Sequence, residues 1–156
     1  MAALVARRGR VVYHRAFGKR DVESGDAMHA NSIFRIASQS KAIVSSGLMA
    51  LQEDGDLLIS DRLSKHLPEF EKETVAVPND GGGYDVVAAD RPTTLRNLLT
   101  HTAGISYGSG PAKEKWNAAG IQGWYFADNE ESIRETVRRI AGLPFDSQSG
   151  EKWVYG

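Results

Sequence analysis

The beginning of the chain has two short apolar runs separated by a polar turn. Residues 1–6 are mostly apolar, residues 7–10 hold arginines around Gly9, and residues 11–17 form a β-branched and aromatic run. Two such runs about a glycine turn are typical of a β-hairpin. The stretch from Lys19 to Asn31 has no apolar period, so it is predicted to be a loop.

Helices are predicted where apolar residues recur at helical spacing and a capping or helix-ending residue lies at one end. The longest covers residues 38–54 and ends at Gly55, and a short one over residues 61–67 is closed by Pro68. Thr94 has the side chain of an N-cap for a helix over residues 95–100.

The last predicted helix covers residues 129–141. Its apolar positions at helical spacing are Ile133, Val137 and Ile140, its acidic residues in the first turn are Glu130 and Glu131, and its stop is Gly142. No element is predicted over residues 71–92, a loop long enough to indicate function or flexibility.

The helix after Ser38 is unusual because it has no polar stripe. Residues 42–51 read Ala-Ile-Val-Ser-Ser-Gly-Leu-Met-Ala-Leu, so this helix is predicted to be buried on nearly every side. Lys41 is the only ionisable residue between Arg35 and Glu53. An ammonium group buried without a partner has a lowered pKa, which would make Lys41 a base.

Ser38 lies one helical turn before Lys41, on the same face. Its hydroxyl is then within reach of the amine, and the helix N-terminus favours negative charge developing on a nucleophile. Ser38 and Lys41 are therefore a candidate nucleophile and activating base. Alternatively, Ser38 only caps the helix and Lys41 extends to solvent, and the residues alone leave both readings open.

The composition excludes several kinds of function. The 19 Lys and Arg residues nearly balance the 20 Asp and Glu residues, so no binding to nucleic acid or to a membrane is expected. The chain has no cysteine, and its histidines lack a metal-binding spacing, so no metal and no cofactor is expected. The start of the chain has no signal-peptide core, which favours a cytoplasmic over a secreted location.

Four segments resemble a known family. They are residues 34–41 (Phe-Arg-Ile-Ala-Ser-Gln-Ser-Lys), 53–57 (Glu-Asp-Gly-Asp-Leu), 67–70 (Leu-Pro-Glu-Phe) and 98–105 (Leu-Leu-Thr-His-Thr-Ala-Gly-Ile). In this order they closely resemble the class C β-lactamase-like serine hydrolases, which include class C β-lactamases, DD-peptidases and esterases of β-lactamase fold.

The resemblance implies roles for individual residues. Ser38 would be the acylated nucleophile and Lys41 its proton acceptor. The family's second element is a tyrosine closing a Gly-x-x-Trp-x-Tyr stretch, here residues 150–155, so Tyr155 would relay a proton to the leaving group and later activate water. Tyr107, just after the fourth segment, is a candidate wall of the substrate pocket.

The sequence departs from the family pattern at its end. In β-lactamases the tyrosine begins Tyr-x-Asn, whereas Tyr155 is followed by Gly156 alone. The family's strand bearing Lys-Thr-Gly, His-x-Gly or Trp-x-Gly, which normally donates one oxyanion-hole amide, is also absent. We therefore expect a piece of a longer enzyme, inactive alone, whose sheet is completed by the missing C-terminal part or by a second chain.

The expected fold is α+β, the N-terminal part of a β-lactamase and DD-peptidase-like fold, as one partial domain over residues 1–156. Residues 1–36 would supply edge strands of an antiparallel sheet and a loop. Residues 37–156 would supply the nucleophile helix, packed across that sheet, and a mostly helical lobe. An incomplete sheet would leave an apolar face uncovered.

Three functions are consistent with these features. The favoured one is a carboxylesterase that acts on small esters through an acyl-enzyme at Ser38, with class C β-lactamase or DD-peptidase activity as the alternative within the family. The esterase is preferred because Gly156 fits poorly the common β-lactamase forms of this element, Tyr-Ser-Asn and Tyr-Ala-Asn. The second is a catalytically silent binding protein of the same fold.

The third is an α/β-hydrolase, because residues 104–108 match the G-x-S-x-G nucleophile elbow and would make Ser106 the nucleophile. That elbow needs a strand before the serine and a helix after it, and the flanking segments predict neither. This function is the least favoured of the three.

Overall fold

The computed structural model describes residues 1–121 and 130–156. Two compact units are present, residues 1–44 and residues 45–156. Residue 129, where the last predicted helix was expected to begin, lies outside the described residues. Within these ranges, no helix has both the length and the apolar character required to cross a bilayer.

The first unit begins with the predicted hairpin. Strand β1 (Ala2–Arg7) pairs antiparallel with strand β2 (Arg10–Ala16). The turn residues Arg8 and Gly9 both have positive φ, of 51° and 73°. A two-residue turn of this conformation matches the twist of the paired strands, so it holds the hairpin in register.

Apolar side chains are exposed on both faces of this hairpin. Val5 lies opposite Tyr13 on one face, and Leu4 lies opposite His14 on the other. The exposed apolar side chains of the two strands are Leu4, Val5, Val11, Val12 and Tyr13. Strands that are apolar on both faces are typical of sheets covered on both sides. The expected uncovered apolar face is thus present, and on both sides of the hairpin.

Helix α1 (Gln39–Glu53) confirms the longest predicted helix. As predicted, Gly55 is the stop signal: it follows the last helical residue, Glu53, after one intervening residue and has φ 81°. The Gly55 amide donates to the Gln52 carbonyl across 3.1 Å, and the Asp56 amide donates to the Leu51 carbonyl across 2.9 Å. These two bonds occupy carbonyl groups that a helix end otherwise leaves without a partner.

The prediction that this helix is buried on nearly every side is wrong for the described residues. No residue of α1 is buried, and the side chains of Ile43 and Val44 are 65% and 64% exposed. An apolar helix surface indicates that the helix packs against other parts of a protein. It does not indicate that those parts lie within residues 1–156.

The second unit contains a hairpin where no element was predicted. Strand β3 (Thr74–Pro78) pairs antiparallel with strand β4 (Tyr84–Ala88). The prediction of one loop over residues 71–92 is therefore wrong. Residues 74–78 and 84–88 are rich in valine, which favours strands, and the Gly-rich segment 79–83 is only the connection between them.

Short helices make up much of the rest of the second unit. They are α2 (Leu63–His66), α3 (Leu95–Leu99), α4 (Lys113–Ala118) and α5 (Ile133–Ala141), with a 3-10 helix at Pro68–Lys72. Helices α2, α3 and α5 confirm predictions, whereas α4 and the 3-10 helix were not predicted. As predicted, Thr94 caps α3, and its hydroxyl accepts a hydrogen bond from the Asn97 amide across 3.3 Å.

The start of α5 differs from the prediction. Its N-cap is Ser132, whose hydroxyl accepts from the Glu135 amide, so Glu130 and Glu131 precede the first turn instead of lying in it. Glu131 instead pairs with the guanidinium of Arg139 in the last turn.

Two groups of buried side chains form the core of the second unit. One contains Leu63, Phe70, Val75 and Phe145, and the other contains Ala76, Ala112, Trp116 and Leu143. Phe145 continues the sheet beside β3, since its carbonyl accepts from the Ala76 amide and its amide donates to the Thr74 carbonyl, both across 2.8 Å. The core thereby fixes the point from which the chain runs to Tyr155.

Candidate active site

Ser38 directly precedes helix α1. The residue before it, Ala37, has φ 46°, a left-handed conformation that non-glycine residues rarely adopt. The amides of Gln39, Ser40 and Lys41 donate to the carbonyls three residues earlier, across 3.0–3.1 Å, which begins the helical turn at this point. Strained backbone of this kind is concentrated at functional sites.

The structure brings Ser38 and Lys41 together as predicted from their spacing. The Lys41 ammonium Nζ donates a hydrogen bond to the Ser38 hydroxyl Oγ across 3.4 Å. Ser38 is exposed and Lys41 is half-buried. A hydroxyl in contact with an amine is one part of the arrangement that activates a serine nucleophile.

Tyr155 and Tyr107 lie together in the second unit. Their ring centroids are 6.1 Å apart with a tilt of 48°, and both rings are partly accessible. The predicted nucleophile and base thus form one pair, in the first unit, and the predicted tyrosines form another, in the second unit.

Two further aromatic side chains surround Tyr155 and were not predicted as site residues. The centroid of the His101 ring lies 4.6 Å from that of the Tyr155 ring, and the centroid of the Trp153 ring lies 6.1 Å from that of Tyr155. His101 and Trp153 also meet edge to face at 5.9 Å. Both residues lie in segments that carry the family resemblance, 98–105 and 150–155, and this was the one sequence feature that could have identified them. Only the fold shows that the two segments are in contact.

Ser106 does not have the environment of an α/β-hydrolase nucleophile. Its side chain is buried, and its hydroxyl accepts hydrogen bonds from the Gly108 and Ser109 amides across 3.1 and 3.3 Å. Burial raises the pKa of the neighbouring Asp146 carboxyl, and a hydrogen bond with Ser106 opposes that shift.

The side chain of Glu73 is buried and bonds Thr93, which directly precedes the N-cap of α3. Glu73 Oε2 accepts from the amide and the hydroxyl of Thr93 across 2.8 and 3.0 Å. Burial raises the pKa of Glu73, and the two bonds from Thr93 oppose the shift. The Thr93 hydroxyl also bonds the Ser149 hydroxyl at 2.6 Å, which connects this network to the segment before Tyr155.

A cleft of about 510 Å³ lies beside this network in the second unit. Charged side chains line it, among them Arg62, Lys72 and Arg91. The four predicted site residues are not among its lining residues. Across residues 1–121 and 130–156, no group of three or more histidine and carboxylate side chains is placed to hold a metal ion.

Comparison with known proteins decides the family. The family profile described as Beta-lactamase matches residues 1–156. The chain belongs to the β-lactamase family. This confirms the resemblance to the β-lactamase-like serine hydrolases drawn from the four sequence segments.

Relatives of this β-lactamase-family chain include hydrolases. Esterase EstB of Burkholderia gladioli is 31% identical over 98% of the chain and 36% of EstB. Penicillin-binding protein 4* of Bacillus subtilis is 27% identical over 97% of the chain and 28% of that protein. The solved structure of EstCE1, described as a hydrolase with promiscuous acyltransferase activity, superposes with a TM-score of 0.75 at 30% identity.

The chain spans only part of these relatives. The superposition covers 99% of this chain but 38% of EstCE1. The matched part is the N-terminal part of the β-lactamase fold, with small sheets and helices, as predicted.

Proposed function

We propose that this β-lactamase-family chain carries the nucleophile, the base and a second proton carrier of a serine hydrolase. The observation that carries the proposal is the hydrogen bond from Lys41 Nζ to Ser38 Oγ at the start of α1. An amine that already contacts a hydroxyl can, in its neutral form, accept the proton of that hydroxyl.

The first half of the reaction forms an acyl-enzyme. Ser38 Oγ attacks the carbonyl carbon of an ester, and its proton passes to Lys41 Nζ. The bond between that carbon and the alcohol oxygen breaks, and the alcohol leaves with the phenolic proton of Tyr155. The acyl group is then bound to Ser38, Lys41 is protonated and Tyr155 is a phenolate.

The second half restores the enzyme. A water molecule gives a proton to the Tyr155 phenolate, and its oxygen attacks the acyl carbon. The bond from that carbon to Ser38 Oγ breaks, and Ser38 regains its proton from Lys41. The product is a carboxylic acid, and the three side chains return to their starting protonation states.

The proposed substrate class is small carboxylic esters. The similarity to esterase EstB supports this class, and so does Gly156, which fits the common β-lactamase forms Tyr-Ser-Asn and Tyr-Ala-Asn poorly. The similarity to penicillin-binding protein 4* favours β-lactams as the second candidate. Tyr107, whose ring lies near that of Tyr155, is the proposed wall of the pocket.

The test uses the protein expressed from its complete gene, with a short-chain chromogenic ester and a chromogenic cephalosporin. We expect ester turnover that exceeds cephalosporin turnover, that Ser38→Ala abolishes and that Ser40→Ala, the matched neighbouring serine, retains. Faster cephalosporin turnover would favour a β-lactamase. No turnover of either substrate, together with no acylation by either, would favour a binding protein.

A further inference from the structure

His101 contacts the segment that carries Tyr155 at three points. Its carbonyl oxygen accepts from the Val154 amide across 2.8 Å. Its ring nitrogen Nδ1 accepts from the Gly156 amide across 3.5 Å. Its ring centroid lies 4.6 Å from that of Tyr155, with a tilt of 32°. One residue therefore holds the chain on both sides of Tyr155 and also the ring itself.

The backbone of His101 is in an uncommon conformation. Its φ is 56°, in the left-handed region that costs energy for a residue with a side chain. Helix α3 holds the loop around it, since the Thr102 amide donates to the Asn97 carbonyl across 2.8 Å and the His101 amide donates to the Leu98 carbonyl across 3.2 Å. Such a conformation persists only where the surrounding structure enforces it.

The two segments run beside each other along a row of hydrogen bonds that ends at His101. The Asp146 amide donates to the Gly104 carbonyl, and the Gly150 amide donates to the Thr102 carbonyl, both across 2.7 Å. The beginning of this row is buried, with Ser149 3% exposed. At its other end Tyr155 is 39% exposed, so core packing alone does not fix its ring.

The hydrogen bonding also argues against His101 as a base. Nδ1 accepts the Gly156 amide, so the neutral ring carries its proton on Nε2. An imidazole bound in this way orients its neighbour instead of taking a proton from substrate at that nitrogen.

We propose that His101 is a positioning residue for Tyr155, holding the phenol ring by its face and the following amide through Nδ1. The inference rests on the proposed function, because the direction of the phenol hydroxyl matters only if Tyr155 carries a proton in the reaction. Misplacement of a reacting group by about 1 Å can lower a rate on the order of 100-fold.

The test compares three substitutions at His101 in the protein expressed from its complete gene. His101→Ala removes the ring and the acceptor, His101→Phe keeps a ring without the acceptor, and His101→Asn keeps an acceptor and tolerates the left-handed backbone. We expect kcat for the ester to fall about 10- to 100-fold in His101→Ala, with KM unchanged. We expect His101→Asn to recover part of that loss. His66→Ala, at a histidine paired with Asp61, is the matched control with unchanged kcat.

A second readout does not depend on activity. The amide NMR signal of Gly156 should shift, and its hydrogen exchange should accelerate, in His101→Phe relative to the wild-type protein. Wild-type kcat in both His101→Ala and His101→Phe, or an unchanged Gly156 signal, would overturn the proposal. If His101→Ala fails to fold, a higher kcat in His101→Asn than in His101→Phe supports the acceptor role, and wild-type kcat in both overturns it.

Failure of the proposed function gives a different result. Full activity in Tyr155→Phe would remove the tyrosine from the reaction, and the positioning role with it, even if the Gly156 signal still reports the contact. An inactive Tyr155→Phe with a fully active His101→Ala would overturn only the positioning role.

Discussion

Lys41 Nζ lies 3.4 Å from Ser38 Oγ, one turn apart at the start of α1. The contact follows from the helical period, which places residues three apart on the same face. This distance is compatible with a purely structural hydrogen bond and also with proton transfer. Only a neutral amine can accept the proton of the hydroxyl.

Lys41→Arg separates these two roles. Arginine keeps the charge and can still donate to Ser38, but it stays protonated and cannot act as a base. We expect kcat for the ester to fall by about 100- to 10,000-fold, while the free energy of unfolding changes by less than about 0.5 kcal/mol. Steady-state kinetics and urea unfolding measure the two, with Lys65→Arg as an exposed control. Near wild-type kcat in Lys41→Arg would show that Lys41 is not the base.

Glu73 should make stability depend on pH in a defined direction. Burial raises the folded-state pKa of Glu73 above its unfolded-state pKa. At pH values between these two pKa values, the folded protein therefore binds more protons than the unfolded chain. Its contribution to stability is therefore greatest below the unfolded pKa and falls as the pH rises through the folded pKa.

Glu73→Gln removes this titration and keeps an oxygen that can accept from Thr93. We expect the stability of the variant relative to wild type to increase as the pH rises through the folded-state pKa of Glu73, as measured by urea unfolding at each pH. Glu114→Gln, at an exposed position in α4, is the matched control for the substitution itself. A variant that instead loses stability relative to wild type as the pH rises would contradict the predicted sign.

Trp116 anchors the second core group. It is fully buried, and its indole Nε1 donates to the Pro144 carbonyl across 2.9 Å. Trp116→Phe leaves that buried carbonyl without its donor and also leaves a void, so we expect a loss of about 2–4 kcal/mol in the free energy of unfolding. Trp153→Phe, at a side chain 67% exposed, should change it by less than about 0.5 kcal/mol. Equal losses would contradict this packing.

Gly104 and Gly47 make a matched pair for the same substitution. Gly104 has φ 78°, and a Cβ there would collide with the backbone of Ser147. Gly104→Ala should cost at least about 1–3 kcal/mol from the backbone conformation alone. Gly47 lies inside α1 with open space around its Cα, so Gly47→Ala should stabilise by about 0.5–1 kcal/mol. Thermal unfolding of both variants tests the prediction, and stabilisation by Gly104→Ala would refute it.

Local signals predicted much of the secondary structure. The glycine end of α1, the Thr94 cap of α3 and the hairpin turn at Arg8 and Gly9 each depend on residues close together in the chain. The β3–β4 hairpin was missed because Pro78 and the following glycines suggested one continuous loop, although they only connect two valine-rich strands.

Features that depend on distant parts of the chain were less predictable. The spacing of Ser38 and Lys41 predicted their contact, whereas Tyr155 was found only through the family resemblance. The contact between the His101 and Tyr155 rings joins residues far apart in sequence, and no periodicity encodes it. The burial of α1 was wrongly predicted for a similar reason, because an apolar pattern does not identify which other element packs against the helix.

The most direct test of the central claim is covalent labelling of the protein expressed from its complete gene with a fluorophosphonate. We predict one adduct per chain, located by peptide sequencing in a mass spectrometer on Ser38 within the tryptic peptide 36–41, and lost in Ser38→Ala and in Lys41→Arg. An adduct on Ser40 or Ser106, or no adduct on a folded protein that turns over esters, would contradict the account.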